Sequence, residues 1–204
     1  MSKIGGVFEE FKDLDQIPIE DFATWLKSTP PPYYLENYLA NKILYPQSAP
    51  VTDFDAEADL AILREVLKRD HRFFDEKKGR ILIPKNFIGR FSSLPRIVWA
   101  YIDAFKPKDI TRVILLENGK QLIVGSIINP QFSVSTPGGK NFLQLSVEGR
   151  NYLIKENSLT IIPCVKERCH INFKSENAKI SGKKQDFIEI SGGELGLVVD
   201  GRRK

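Results

Sequence analysis

An α+β fold follows from three observations: helical spacing fills the first half of the chain, strand spacing fills the second, and the period changes at Lys106-Pro107-Lys108. The expected organisation is a polar tail or short helix at 1–16, a helical domain at 17–105, and an antiparallel all-β sandwich or barrel at 109–201. At 204 residues, 42% hydrophobic and 27% charged, the chain can bury a core, which excludes general disorder. No apolar run approaches the ~18 residues of a membrane helix, and the start, MSKIGGVFEEFKD, lacks a secretory core. The expected location is therefore the cytoplasm, with no membrane partner.

The helices are read in order. Pro18 suits a first helical turn, followed by Ile19, Phe22, Ala23, Trp25 and Leu26, and Pro30-Pro31-Pro32 ends that segment. Tyr33 to Leu44 places Tyr34, Leu35, Tyr38, Leu39 and Leu44 on one stripe. Asp53 and Asp55 are the expected caps of the next helix, which carries Leu60, Leu63, Val66 and Leu67 on one face. After Asp70 the text HRFF-DEKKG-RILIP reads as a β-hairpin with Gly79 in the turn. A last helix runs through Ile97, Val98, Tyr101, Ile102 and Phe105.

Charge is unevenly distributed. Residues 1–60 carry four basic and eleven acidic side chains, whereas 61–105 carry ten and five, so positive charge begins where the third helix turns basic. Helix, hairpin and the residues Val66, Leu67, Asp70, Arg72 and Phe73 together resemble HARE-type winged-helix domains over about 17–84. The resemblance implies a recognition helix followed by a two-stranded wing. In that reading Arg64, Lys68, Arg69 and Arg72 from the helix and its exit, with Lys77, Lys78 and Arg80 from the wing, contact a phosphate backbone.

In the second half, RVILLE and QLIVGSII flank Asn118-Gly119, the strongest short hairpin signal. Further turns are expected at Pro137-Gly138-Gly139-Lys140, Glu148-Gly149-Arg150-Asn151, Lys155-Glu156-Asn157 and Lys166-Glu167-Arg168. Residues from about 142 to 202, above all Gly192-Gly193-Glu194-Leu195-Gly196-Leu197-Val198-Val199-Asp200-Gly201-Arg202, resemble the terminal β-segment of the glutamate mutase accessory protein family. No nucleotide-binding or catalytic residue carries over from that family. It continues with a Gly-Arg-Pro phrase where this chain has Arg203-Lys204, so the chain is expected to be part of something longer.

The remaining chemistry is sparse. Cys164 and Cys169 are expected as free thiols flanking a hairpin loop, and with His170 they fall short of a four-ligand zinc set. His71 reads as structural, and Thr136-Pro137-Gly138-Gly139-Lys140 lacks the spacing of a phosphate loop. The expectation is a non-catalytic nucleic-acid-binding protein with no catalytic residues, no metal and no cofactor. Its partner would be a nucleic acid, DNA included; the alternative is an adaptor or assembly module within a protein complex.

Overall fold

The computed structural model describes residues 11, 14–91, 93–132, 142–174, 178–180 and 187–202. Most of the expected tail, the end of the FSVST segment and the Thr136–Lys140 turn lie outside them. The described chain is α+β, with helices α1 (Ile19–Ala23), α2 (Pro32–Leu44), α3 (Asp53–Arg69), α4 (Lys85–Phe91) and α5 (Leu94–Phe105). The strands are β1 (Phe74–Asp75), β2 (Arg80–Pro84), β3 (Thr111–Glu117), β4 (Lys120–Ile128), β5 (Pro130–Phe132), β6 (Phe142–Val147), β7 (Arg150–Lys155), β8 (Leu159–Lys174), β9 (Ala178–Ile180) and β10 (Phe187–Asp200). They separate into two compact units, one from residues up to Phe73 with Pro84–Phe105, the other from Phe74–Ile83 with Lys106 onward.

The helical unit is built around α3. Its cap is Thr52 rather than either aspartate: the Thr52 hydroxyl accepts from Asp55 N at 3.1 Å, and the Asp55 carboxylate accepts from Thr52 N at 2.9 Å. Asp55 thus closes a capping box from the third helical position. From Ala58 to Leu63, and again from Glu65 to Leu67, every residue is buried, so α3 is covered on all sides rather than on one stripe. Helix α5 contributes Ile97, Val98, Tyr101 and Ile102 to this core, and Phe11, Phe73, Phe87 and Tyr101 form a ring cluster with centroids 5.7–6.4 Å apart.

On α2 the buried positions are Leu35, Leu39 and Lys42, while Tyr34 and Leu44 are exposed, which narrows the expected stripe. The physical reason is Asp59, wholly buried on α3. It accepts from Lys42 Nζ at 3.0 Å, Tyr38 OH at 2.8 Å and Arg90 Nη2 at 2.9 Å, while Lys42 Nζ also donates to the Ser48 carbonyl at 2.8 Å. Burial pulls the Lys42 ammonium below its ordinary range and, with the Asp59 charge, pushes the Tyr38 phenol up. Replacing Asp59 by alanine leaves two cations buried without their counter-ion. Urea unfolding should register a loss of about 3–5 kcal/mol.

The β unit is an eight-stranded sheet in the order β1-β2-β3-β4-β10-β8-β6-β7, with β5 and β9 forming a separate pair. The sheet is mixed rather than wholly antiparallel, because β10 runs parallel to β4 from Gly196↔Gly125 to Val199↔Ile128. The expected hairpin at 74–84 forms, and its strands lie at the end of this sheet, with Arg112 N donating to the Gly79 carbonyl at 2.8 Å. Asn118 and Gly119 take positive φ of 49° and 77° at the β3–β4 turn, the geometry that Asn-Gly favours. No hairpin forms at Lys166-Glu167-Arg168. Strand β8 continues through that point, since β10 is long enough to pair with both of its halves.

Candidate functional site

Of the seven basic residues expected to meet phosphate, four stand in the helical unit and three in the β unit, and six are held by carboxylates. Arg64 Nε donates to Asp103 at 2.8 Å, and Lys68 Nζ lies 2.5 Å from Glu65. Arg69 binds the Glu65 carbonyl at 2.8 Å and its carboxylate at 3.2 Å, and Arg72 Nε binds Asp70 at 2.9 Å. In the hairpin, Arg80 lies 3.0 Å and Lys78 4.0 Å from Asp75. Lys77 is exposed and has no ion-pair partner among the described residues.

These pairs differ in how firmly they hold. The Arg64 side chain is 12% exposed, its guanidinium lies 5.2 Å from the Trp25 ring centroid, and Lys68 approaches the same ring at 4.8 Å. Trp25 Nε1 donates to Glu65 at 2.6 Å, so this group is a packed polar network rather than a free cationic face. Arg72 and Lys78, 67% and 68% exposed, sit in weak surface pairs. Burial opposes ionisation of Glu65, but the hydrogen bonds from Lys68, Trp25 and Arg69 outweigh it and hold the carboxyl below its ordinary 4.5. A depressed carboxyl contributes stability above its unfolded-state value and loses it as pH falls through the folded one. The urea midpoint should therefore drop on acidification below about pH 4.5, and Glu65→Gln should flatten that limb while costing about 1–3 kcal/mol at neutral pH.

A second feature is a cleft of about 780 Å³ within the β unit. One wall is β3–β4 with Arg112, Leu122 and Ile123; the other is β8–β10 with Val165, Glu189 and Ile190. The cleft opens where β4 and β10 part. They pair only from Gly125 and Gly196 onward, and the first four residues of β4 are exposed. At its inner end the Ser126 hydroxyl donates to the Ser191 carbonyl at 2.6 Å. Leu122 and Val165 are 59% and 80% exposed, more than apolar side chains of a finished surface require.

The outer wall is a bulge. Between Ser191↔Arg168 and Gly193↔Cys164, three residues of β8, Val165-Lys166-Glu167, face one of β10, Gly192, and all three are exposed. Cys164 and Cys169 close this bulge in a disulfide, with Cα atoms 6.3 Å apart, so the expected free thiols are instead joined across one strand. Lys166 pairs with Glu148, whose other oxygen accepts from His170 N at 3.1 Å. A Cβ on Gly192 would stand 2.3 Å from the carbonyl oxygens of both Cys164 and Lys166, so only glycine lets β10 pass beneath the bulge. Gly192→Ala should cost about 1–3 kcal/mol in chemical denaturation and shift the tryptic susceptibility of the 165–168 segment.

The His71 ring lies 6.2 Å from that of Phe105, tilted by 39°, and His170 stacks on Phe187 at 5.6 Å. Among the described residues no group of three or more His, Cys, Asp or Glu side chains converges as metal ligands, and no helix is long and apolar enough to cross a membrane. Sequence reasoning missed Arg112, Leu122 and Val165. The available signals were the Gly192-Gly193 pair, which marks close backbone approach, and the consecutive apolar residues Leu122-Ile123-Val124 within β4. No protein-family model, no curated protein and no solved structure matches the chain.

Proposed function

We propose that the chain is a non-catalytic protein-binding module, an adaptor within a larger assembly, whose β unit receives its partner at the cleft between β3–β4 and β8–β10. The observation that carries this reading is the exposed apolar lining of a pre-formed cleft, Leu122, Ile123 and Val165; the basic residues that would meet phosphate are, by contrast, largely neutralised by their own carboxylates. Apolar side chains held open to water gain free energy on being covered, whereas cations already paired gain less from phosphate. In this reading the sheet curls toward a sandwich or barrel, and the hairpin β1–β2 serves as its end rather than as a wing on nucleic acid. The winged-helix likeness of the first half then describes a scaffold.

The test pairs two measurements on the intact chain. A photo-crosslinking side chain at Val165 should yield a covalent protein adduct in lysate that is lost with Leu122→Glu. Fluorescence anisotropy with duplex and single-stranded oligonucleotides, at about 50 and 200 mM salt, should show only weak binding. Steeply salt-dependent binding that disappears when Lys77, Lys78 and Arg80 become alanine would overturn the proposal and restore the nucleic-acid reading.

A further inference from the structure

The edges of the two strands that bound the cleft point to a specific kind of guest. Strand β10 pairs with β8 over Phe187–Ser191, and among the described residues no strand meets its opposite edge there. The Ser191 carbonyl faces that open side, since it accepts the Ser126 hydroxyl at 2.6 Å. Because backbone groups alternate direction along a strand, Glu189 and Phe187 present their N–H and C=O the same way. Across the cleft, Lys120–Ile123 of β4 pair with β3 on one edge, and among the described residues no strand meets their other edge. Two strand edges thus diverge from a common junction with no strand between them among the described residues.

We infer that the cleft takes an extended polypeptide segment by strand addition, with apolar side chains on alternate residues and a carboxylate opposite Arg112. This rests on the protein-binding reading and names the partner's chemistry. Only a polypeptide supplies donors and acceptors at the spacing of a strand edge; nucleic acid and lipid do not. The apolar positions follow from Leu122, Ile123, Val165 and Ile190 along the walls. The charge follows from the ionic groups facing the space. Glu189 is already flanked by Arg168 at 3.6 Å and His170 at 3.8 Å, whereas the exposed Arg112 side chain has no carboxylate in reach among the described residues. Glu167 at the rim repels an acidic guest locally and directs its carboxylate toward the β3 wall.

The experiment is selection of random peptides of about ten residues, long enough to form one strand, displayed on phage against the intact chain. Peptides with alternating apolar residues and at least one carboxylate should be enriched. Synthetic versions N-methylated on the edge-facing residues should lose more than about ten-fold in affinity, since several backbone hydrogen bonds vanish together. N-methylation of the other residues should have little effect. Arg112→Glu should weaken the selected peptides by a similar factor and favour basic ones; Leu122→Glu, on an exposed position that folding tolerates, should also reduce binding. No enrichment, or affinity unaffected by N-methylation on either set, would overturn strand addition. If crosslinking from Val165 still captures a protein, strand addition falls alone; if it does not, the protein-binding reading falls with it.

Discussion

Strand β10 pairs with β8 on one side and β4 on the other only because two consecutive residues at its middle, Gly192 and Gly193, carry no side chains. At Gly192 the neighbouring carbonyls of Cys164 and Lys166 occupy the space of a Cβ, and at Gly193 a Cβ would stand 2.7 Å from the backbone of Val124. Removing those two methyl groups lets the strand change partners along its length: β8 alone in its first half, β8 and β4 in its second. The bulge of β8, the disulfide that closes it and the gap beside β4 all follow from that change. The cleft is thus a product of backbone packing, and its walls are held by main-chain hydrogen bonds rather than by loops.

The helical unit solves a different problem. Asp59, Lys42 and Arg90 place charges where water is excluded, and they are tolerable because each finds oxygen or nitrogen partners at hydrogen-bond distance. The same economy governs the basic stretch after Arg64. Its few acids, Glu65, Asp70 and Asp75, each sit within five residues of the cations they hold, so the local excess of positive charge is smaller in space than in sequence.

That difference explains what could be read from the chain alone. The change from helical to strand period, the Asn118-Gly119 hairpin and the helix over Leu60–Leu67 are local patterns, and each appears in the structure. Lys42 was invisible because a lysine on a helix normally faces water, and its burial depends on Asp59 seventeen residues later. The course of β8 through Lys166-Glu167-Arg168 depends on β10, which lies more than one strand length away in sequence, so a local turn signal gave way to a distant pairing. In sequence the cleft was legible only through the Gly192-Gly193 pair, which signals close backbone approach or a bulge but not an opening. Its apolar lining is spread over β4, β8 and β10, and periodicity within one segment does not reveal such a convergence.

The two compact units are interleaved along the chain: Phe74–Ile83 leaves the helical unit, joins the sheet, and the chain returns at Pro84. During vectorial synthesis, β1 and β2 emerge before β3, the strand beside which they lie, while α4 and α5 emerge after them. The helical unit can therefore close around α3 while the hairpin waits with one edge unsatisfied, until Arg112 and its neighbours leave the ribosome. Severing the chain at Lys106 would strand that hairpin on one fragment and deprive the sheet of its end on the other. Two units that are separate by packing are, for biosynthesis and inheritance, a single piece.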